Sequence, residues 1–142
     1  GGLEVPFEFG LEGHSDGDVL LHAITSAVLG GAGLKDMGTY FPSSDQAFAN
    51  VDSAVFLKRA VNMAYGNKWG VNFIDATIIA QRPKLGPYLD TIIDNIASTL
   101  NMPNRLINVK VTSTDGVGAI GRGDGIAAQA IVTVERGKTS SE

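Results

Sequence analysis

The chain has 142 residues, of which 44% are hydrophobic and 18% charged, and its formal net charge is −4. A chain of this size and composition can bury one sizeable core but cannot form two ordinary domains. The acidic balance and the scattered lysines and arginines argue against nucleic acid or an anionic membrane as a partner. Because there is no cysteine, a metal site would need His and carboxylate ligands. We expect no membrane span, since no apolar run approaches roughly 18 residues, and no signal peptide is recognisable.

The first third of the chain predicts a strand followed by a helix. Residues 3–9 alternate apolar and polar side chains, which predicts a half-buried strand, and Pro6 favours a position at a sheet edge. Residues 18–29 carry one apolar helical stripe, and Gly30 and Gly31 are typical signals for the end of such a helix.

The rest of the chain predicts two more helices and three more strands. A loop rich in Gly, Asp and Ser leads to a helix over residues 51–65, and residues 70–80 predict a buried strand. Apolar residues at helical spacing predict a third helix over residues 87–100. Residues 106–114 and 125–136 predict two final strands, separated by a glycine-rich loop.

This order of elements predicts an α+β fold. We expect residues 1–142 to form a single domain, a two-layer sandwich in which a mixed sheet of about four to five strands carries helices on one face. The other face of such a sheet is uncovered, and proteins often cover such a face by forming oligomers.

The sequence HSDGDVLLHA, residues 14–23, has two interpretations. Ser15 or Asp16 can cap the following helix, and Ser15 with Asp18 has the spacing of a capping box. Alternatively, Asp18 and His22 lie four residues apart on one helical face, so the carboxylate could orient an imidazole that binds a metal ion. Spacing alone favours capping and leaves the metal site open.

Five separated motifs resemble one enzyme family. They are, in chain order, HSDGDVLLHA, LKDMGTYFPSSD, IIAQRPKLGP, VKVTSTD and GRGDGIAAQA. Their order and spacing resemble the 2-C-methyl-D-erythritol 2,4-cyclodiphosphate synthase family of non-mevalonate isoprenoid biosynthesis, over nearly the whole chain. The resemblance implies a homotrimer with an active site at each subunit interface and a small-molecule cytidine diphosphate substrate.

The resemblance also implies the reaction, that of a phosphorus–oxygen lyase. The 2-phosphate of 4-diphosphocytidyl-2-C-methyl-D-erythritol 2-phosphate attacks the β-phosphate, which closes 2-C-methyl-D-erythritol 2,4-cyclodiphosphate and releases CMP. Because the attacking and leaving oxygens are both anionic, catalysis requires positioning and charge neutralisation, which suits metal ions. The implied cofactors are Zn²⁺ or a similar divalent ion, and Mg²⁺ or Mn²⁺.

The resemblance implies roles for individual residues. His14 and Ser113 correspond to catalytic residues, His22 to a zinc ligand, and Asp115 to the ligand of the magnesium-like ion. The residues that correspond to substrate-binding positions are His14, Ser15, Asp36, Met37, Gly38, Phe41, Pro42, Ser43, Ser44, Asp45, Ala80, Gln81, Arg82, Pro83, Lys84, Leu85, Gly86, Thr112, Ser113, Thr114, Asp115, Ala119 and Arg122.

The chain departs from the family pattern at several positions. The family supplies two further zinc ligands from an upstream Asp-x-His motif that these residues lack. Either the chain is a fragment without its first strand, which we favour, or the protein has lost zinc and activity. Ser43 stands where Asp is common, Asp115 replaces Glu, Ser113 replaces Thr and keeps the hydroxyl, and Ala119 replaces a bulkier residue.

Three other functions remain open from the sequence. A metal-depleted, non-catalytic nucleotide-binding trimer would share the fold, and a metal phosphoesterase would release inorganic phosphate instead of CMP. Adhesion through Arg122, Gly123 and Asp124 is a weaker hypothesis, because turn geometry explains the glycines. We expect a cytoplasmic location if the organism is a bacterium, and a plastid or similar organelle if it is a eukaryote.

Overall fold

The computed structural model describes residues 1–10 and 17–137. The helices and strands of this part are, in chain order, α1 (Val19–Gly31), α2 (Met37–Tyr40), α3 (Ser53–Gly66), β1 (Trp69–Ile79), α4 (Leu89–Leu100), β2 (Ile107–Thr112), α5 (Gly118–Gly121) and β3 (Ala127–Arg136). Single 3₁₀ turns lie at Gln46–Phe48, Gly86–Tyr88 and Asn104–Leu106. None of the helices in these two ranges is long and apolar enough to cross a membrane.

The sheet of the described residues is mixed and has β1 at its centre. β2 pairs with β1 in parallel and β3 pairs with it antiparallel, which gives the order β2, β1, β3. A parallel pair needs a crossover connection, and α4 supplies it between β1 and β2. The predicted α+β class and the predicted mixed sheet are confirmed, but the sheet has three strands here instead of the expected four to five.

An extra residue in β1 decides which side chains face the core. Val71 and Phe73, two residues apart in β1, lie opposite Val134 and Thr133, which are adjacent in β3. Asn72 is therefore the additional residue of a β-bulge. After this bulge the even-numbered residues of β1 face the helices, whereas Phe73 is 37% exposed on the opposite face.

The core lies between the sheet and the three long helices. Helices α1, α3 and α4 all pack on the same face of the sheet. The largest fully buried side chains of the core are Leu21, Ile24, Leu29, Leu57, Ile74 and Ile96. Complete burial of such a side chain contributes about 1.5 to 3 kcal/mol, so these residues fix how the helices lie on the sheet.

The predicted first strand, residues 3–9, is wrong. This segment is not part of a sheet in the structure. Leu3 and Val5 pack against the core, and Asn95 of α4 donates a hydrogen bond to the Gly2 carbonyl oxygen at 3.2 Å. Leu3 and Val5 thus pack against the core without the partner strand that a sheet edge requires, whereas Phe7 and Phe9 of the same pattern are exposed.

The predicted limits of the first helix also need correction. Ser15 and Asp16, the predicted cap residues, lie outside the described part. The N-cap of α1 is Asp18, whose carboxylate accepts from the Leu21 N–H at 3.0 Å. A cap side chain bonds N–H groups two or three residues ahead, so a helix that begins at Val19 selects Asp18.

The end of this helix lies beyond the predicted glycines. Gly31 is still helical, and Gly33 has the left-handed φ of 71°. The Gly33 and Leu34 N–H groups donate to the carbonyl oxygens of Gly30 and Leu29, at 3.0 and 2.8 Å. These two bonds form a Schellman motif, in which the left-handed residue is the one that needs to be glycine.

Candidate active site

His22 lies at the junction of α1 and α3. Its Nε2 atom is 2.8 Å from the hydroxyl oxygen of Ser53, the first residue of α3. Ser53 is completely buried, and His22 is half-buried. The side chain of Asp52 caps α3 by accepting from the Ala54 N–H at 2.9 Å, which fixes the start of the helix that carries Ser53. The structure therefore holds the imidazole ring against the first turn of α3.

Ser53 is a site residue that sequence reasoning missed. It lies 31 positions after His22, outside every motif described above. Asp18, the predicted partner of the imidazole, uses its carboxylate to accept from the Leu21 and Gly2 N–H groups, at 3.0 and 2.7 Å. These bonds fasten the first residues of the chain to the start of α1. No spacing rule could have revealed Ser53, because the contact depends on how α3 packs against α1.

An aromatic cluster connects His22 to the predicted substrate segment at residues 41–45. The Phe56 ring lies 6.2 Å from the His22 ring and 4.9 Å from the Phe41 ring, measured between centroids. Phe48 packs edge-on against both phenylalanines at 5.8 Å, and the Arg59 guanidinium lies 5.9 Å from its centroid. The structure therefore brings two sequence-predicted residues, His22 and Phe41, to one place through Phe56.

The acidic residues near this cluster have local structural partners. Asp36 precedes α2 and accepts a hydrogen bond from the Thr39 hydroxyl. Asp45 caps the following 3₁₀ turn by accepting from the Ala47 N–H at 2.9 Å. Both carboxylates are exposed, as are Ser43 and Ser44 of the same loop, so a ligand can reach all of them. Gly38 is also exposed, whereas Met37 and Pro42 are half-buried.

A second group of predicted residues lies where the parallel strands β1 and β2 end. The Ala80 N–H donates to the Thr112 carbonyl oxygen at 2.9 Å, and the Gly116 N–H donates to Gln81 Oε1 at 2.9 Å. The carboxyl ends of parallel strands meet at one edge of a sheet, where ligands commonly bind in α/β sheets. The pairing thus brings loop 80–86 and loop 112–122 together, although they are far apart in sequence.

Loop 80–86 is anchored at its two ends and open between them. Ala80 and Leu85 are buried, whereas Arg82 and Lys84 are exposed. Pro83, together with Arg82 and Leu85, lines a cavity of about 710 Å³ whose opposite wall comes from residues 1–10 and the start of α1. Gly86 begins the 3₁₀ turn that leads into α4. Through Arg82 the loop therefore presents a cationic side chain to a space large enough for a small ligand.

Loop 112–122 is a compact turn that exposes its polar groups. The Asp115 N–H donates to the Ser113 hydroxyl at 3.2 Å, and this hydroxyl lies 3.4 Å from Asp115 Oδ1. Asp115 has the left-handed φ of 52°, and the Thr114 hydroxyl donates to the Val117 carbonyl oxygen at 2.6 Å. The carboxylate of Asp115 is exposed, so a cation or a phosphate-bound cation can reach it.

Arg122, at the end of this loop, has an exposed cationic side chain. Arg122 Nε lies 3.1 Å from Asp124 Oδ2, and the two side chains are 64% and 59% exposed. Ala119 is exposed in the same loop and contributes little apolar surface. Since an exposed ion pair is weak, a bound phosphate can compete with Asp124 for the guanidinium.

The described residues do not complete a zinc site. Within residues 1–10 and 17–137, no three His, Cys, Asp or Glu side chains are grouped closely enough to hold a metal ion. Catalytic zinc sites use about three protein ligands, so His22 offers one of them. Its donor chemistry fits, because a metal-bound His has its second ring nitrogen hydrogen-bonded, as Nε2 is to Ser53. Asp115 fits Mg²⁺, which one or two carboxylates hold together with substrate phosphates.

Two predicted residues cannot be placed. His14 and Ser15, the implied catalytic and phosphate-binding pair, lie outside the described residues. The other predicted site residues fall into two groups, one around His22 and loop 36–45, the other around loops 80–86 and 112–122.

Comparison with known proteins identifies the family. The YgbB family model matches residues 1–135. A protein of Thiobacillus denitrificans named 2-C-methyl-D-erythritol 2,4-cyclodiphosphate synthase is 49% identical over 137 residues, which is 96% of this chain and 86% of the relative.

Two solved structures share the fold at significant identity. The bifunctional IspDF from Campylobacter jejuni matches with a TM-score of 0.93 and 38% identity, over 99% of this chain and 38% of that longer chain. The CDP complex of IspF from Plasmodium falciparum matches with a TM-score of 0.78 and 32% identity, over 89% of this chain and 76% of the other. From the family match and the relative at 49% identity, we conclude that this chain belongs to the YgbB family.

Proposed function

We propose that this protein converts 4-diphosphocytidyl-2-C-methyl-D-erythritol 2-phosphate into 2-C-methyl-D-erythritol 2,4-cyclodiphosphate and CMP. The Thiobacillus denitrificans relative carries the name of this synthase, and the Plasmodium falciparum neighbour was solved with CDP. The observation that carries the proposal is the hydrogen bond from the Gly116 N–H to Gln81 Oε1, at 2.9 Å. It joins the two loops that the resemblance assigns to the nucleotide and to the diphosphate.

The reaction requires no nucleophile from the protein. An oxygen of the 2-phosphate forms a bond to the β-phosphorus, and the bond from that phosphorus to the bridging oxygen breaks. CMP leaves with the bridging oxygen and its electron pair. The chain must therefore hold the two phosphates in line and offset the negative charge that accumulates between them.

The described residues supply groups of the right kind for this task. The Ser113 hydroxyl can donate to a diphosphate oxygen, and the Arg122 guanidinium is an exposed, permanent cation in the same loop. The backbone of loop 80–86 offers the amide and carbonyl groups that a cytosine ring needs. A substrate that fills the cavity beside loop 80–86 displaces water, which strengthens the polar interactions that it makes there.

We propose that divalent metal ions assist at two positions. Asp115 would hold Mg²⁺ or Mn²⁺ together with the substrate phosphates, and His22 would be one ligand of Zn²⁺, with the other ligands outside the described residues. When bound, such ions polarise phosphoryl oxygens and neutralise their charge. The described side chains position the substrate, and Phe56 keeps residues 41–45 beside His22.

We propose that the protein assembles as a homotrimer through the uncovered face of its sheet. Phe73 of β1 and Ile131 of β3 are 37% and 70% exposed on this face, opposite the helices. Apolar side chains of this size at the middle of an open sheet favour contact with another copy. The Thiobacillus denitrificans relative is bacterial, which favours the cytoplasmic alternative for the location and leaves the plastid alternative without support.

The full-length protein, incubated with the cytidine diphosphate substrate, tests this proposal. We expect CMP and the cyclic diphosphate in equal amounts, seen by ³¹P NMR and chromatography, and loss of both after treatment with a chelator. Release of inorganic phosphate instead would indicate a phosphoesterase. Nucleotide binding without either product under any metal condition would indicate the non-catalytic trimer.

A further inference from the structure

The hydrogen bond between His22 and Ser53 joins a half-buried imidazole to a completely buried hydroxyl. The Nε2 to Oγ distance is 2.8 Å, a full hydrogen bond. Ser53 is 0% exposed and stands at the start of α3, where Asp52 already caps the helix. The Ser53 side chain is therefore not needed as the helix cap, and it is directed at His22.

The surroundings of the ring restrict its rotation. Phe56, one turn after Ser53 on α3, is 4% exposed and packs against the His22 ring at 6.2 Å with an interplanar angle of 58°. The ring is thus in contact with α3 both at its edge, through Ser53, and at its side, through Phe56. Rotating the ring about its last side-chain bond would break the hydrogen bond to the completely buried Ser53 hydroxyl, and the loss of a buried hydrogen bond is costly.

Only one tautomer of the His22 imidazole is suitable for a metal ligand. A ligating nitrogen must carry a lone pair, and the other ring nitrogen then donates its N–H to an outer partner, which fixes the tautomer. Since Nε2 faces Ser53, Nδ1 is the nitrogen that would bind a metal ion.

We propose that Ser53 is a positioning residue: its hydroxyl oxygen accepts a hydrogen bond from the Nε2–H of His22, holds the imidazole in that tautomer, and so turns Nδ1 toward the metal. This inference rests on the proposed function for the presence of a metal, but the tautomer is a property of the metal-free protein. Nothing in the motif around His22 contains Ser53, so the role comes from the packing of α3 on α1.

The test uses full-length protein stripped of metal and labelled with ¹⁵N-histidine. These 142 residues contain two histidines, and the spectrum of His22→Gln assigns the signal of His22. Long-range ¹H–¹⁵N correlations, recorded in mildly alkaline buffer, report the tautomer. We expect His22 of the unmodified protein to be in the Nε2–H form. A predominant Nδ1–H form would overturn the proposal, and this measurement needs no variant to fold.

Variants then separate positioning from simple packing. We expect Ser53→Ala to shift His22 toward a mixture of tautomers and to weaken zinc binding about 10- to 100-fold in competition with a chromophoric chelator. Ser53→Thr, which keeps the hydroxyl, should preserve the tautomer. Thr25→Val is the matched control, because it removes another completely buried hydroxyl, one that donates to the Leu21 carbonyl oxygen at 2.7 Å.

The possible outcomes distinguish this inference from the proposed function. If Ser53→Ala, like Thr25→Val, leaves both the tautomer and the zinc affinity unchanged, the positioning role is wrong even if the protein releases CMP. If the unmodified protein releases no CMP while Ser53→Ala still shifts the tautomer and weakens zinc binding, the positioning role stands and the proposed reaction fails.

Discussion

Gly121 lies against the backbone of Gly116, so close that a Cβ atom on Gly121 would be 2.2 Å from the Gly116 carbonyl carbon. No side chain fits at that distance, because backbone atoms cannot move aside as the end of a flexible side chain can. This contact closes loop 112–122 and thereby fixes the path of Ser113, Asp115 and Arg122.

We therefore expect Gly121→Ala to open the loop and lower kcat/KM for CMP release at least 10-fold. The methyl group must displace backbone, at a cost of about 1 to 3 kcal/mol, and the loop loses its hydrogen bond to Gln81. Gly125→Ala is the control, since an added Cβ there meets no atom within 4 Å. Steady-state kinetics and thermal unfolding of both variants check this prediction, and equal activity of the two would contradict it.

Much of the fold could be predicted because it depends on local periodicity. The apolar stripe of α4 and the β-branched run of β1 each predict their element within a few residues. Residues 3–9 mislead for a physical reason: alternation says that one side of the segment is buried, but a strand also needs a partner, which the local sequence does not encode. Likewise Ser15, Asp16 and Asp18 are all good N-cap residues, and only the position of the first helical turn selects among them.

The site was predictable only where the family motif supplied it. Without that resemblance, loop 80–86 would read as an ordinary turn, because its proximity to Gly116 follows from the parallel pairing of β1 with β2. Ser53 was missed even with the resemblance, since its contact with His22 spans two helices. Contacts between distant elements are set by the packing of the whole core, and no short pattern contains them.

Replacement of Ser113 tests how much its hydroxyl contributes to activity, apart from the rest of the loop. We expect Ser113→Ala to lower kcat for CMP release about 10- to 100-fold with little change in KM, because a hydrogen bond made in the transition state contributes mainly to kcat. Ser113→Thr keeps the hydroxyl and should stay within a few-fold of the unmodified protein. The kinetics of both variants decide this point: if they lose activity equally, the volume at this position matters and the hydroxyl does not.

A charge placed on the uncovered face of the sheet should prevent assembly. Ile131 is 70% exposed and lies opposite Asp75 in the ladder between β3 and β1. We expect Ile131→Asp to convert the proposed trimer to monomers, because an interface cannot bury a carboxylate without a partner. Val55→Asp adds the same charge to an exposed apolar position on α3 and should leave the mass of the assembly unchanged. Light scattering after size-exclusion chromatography measures both masses, and an unchanged mass for Ile131→Asp would place the subunit contact elsewhere.

The ion pair between Asp75 and Lys110 should make the folded protein slightly less stable at acid pH than at neutral pH. The hydrogen bonds from Lys110 Nζ, at 2.7 and 2.8 Å, lower the pKa of the Asp75 carboxyl below its ordinary value, with a smaller contribution from Asn108. A pKa that is lower in the folded state than in the unfolded state stabilises the fold above the ordinary pKa of about 3.9, and this stability is lost as the pH falls through the folded value. Because the Lys110 and Asp75 side chains are 51% and 36% exposed in a single subunit, the contribution there should be about 1 kcal/mol or less.

Chemical denaturation of the unmodified protein and of Lys110→Met between pH 7 and pH 2.5, values chosen to bracket that ordinary pKa of about 3.9, measures this contribution. The difference in free energy of unfolding between the two proteins should be present at neutral pH and disappear at the acid end. Asp75→Asn should lower the free energy of unfolding by a similar amount at neutral pH, and this difference should also disappear at the acid end, because the protonated Asp75 of the unmodified protein is then as uncharged as the amide. A difference that persists unchanged at the lowest pH would mean that the Lys110 side chain stabilises the sheet by packing alone.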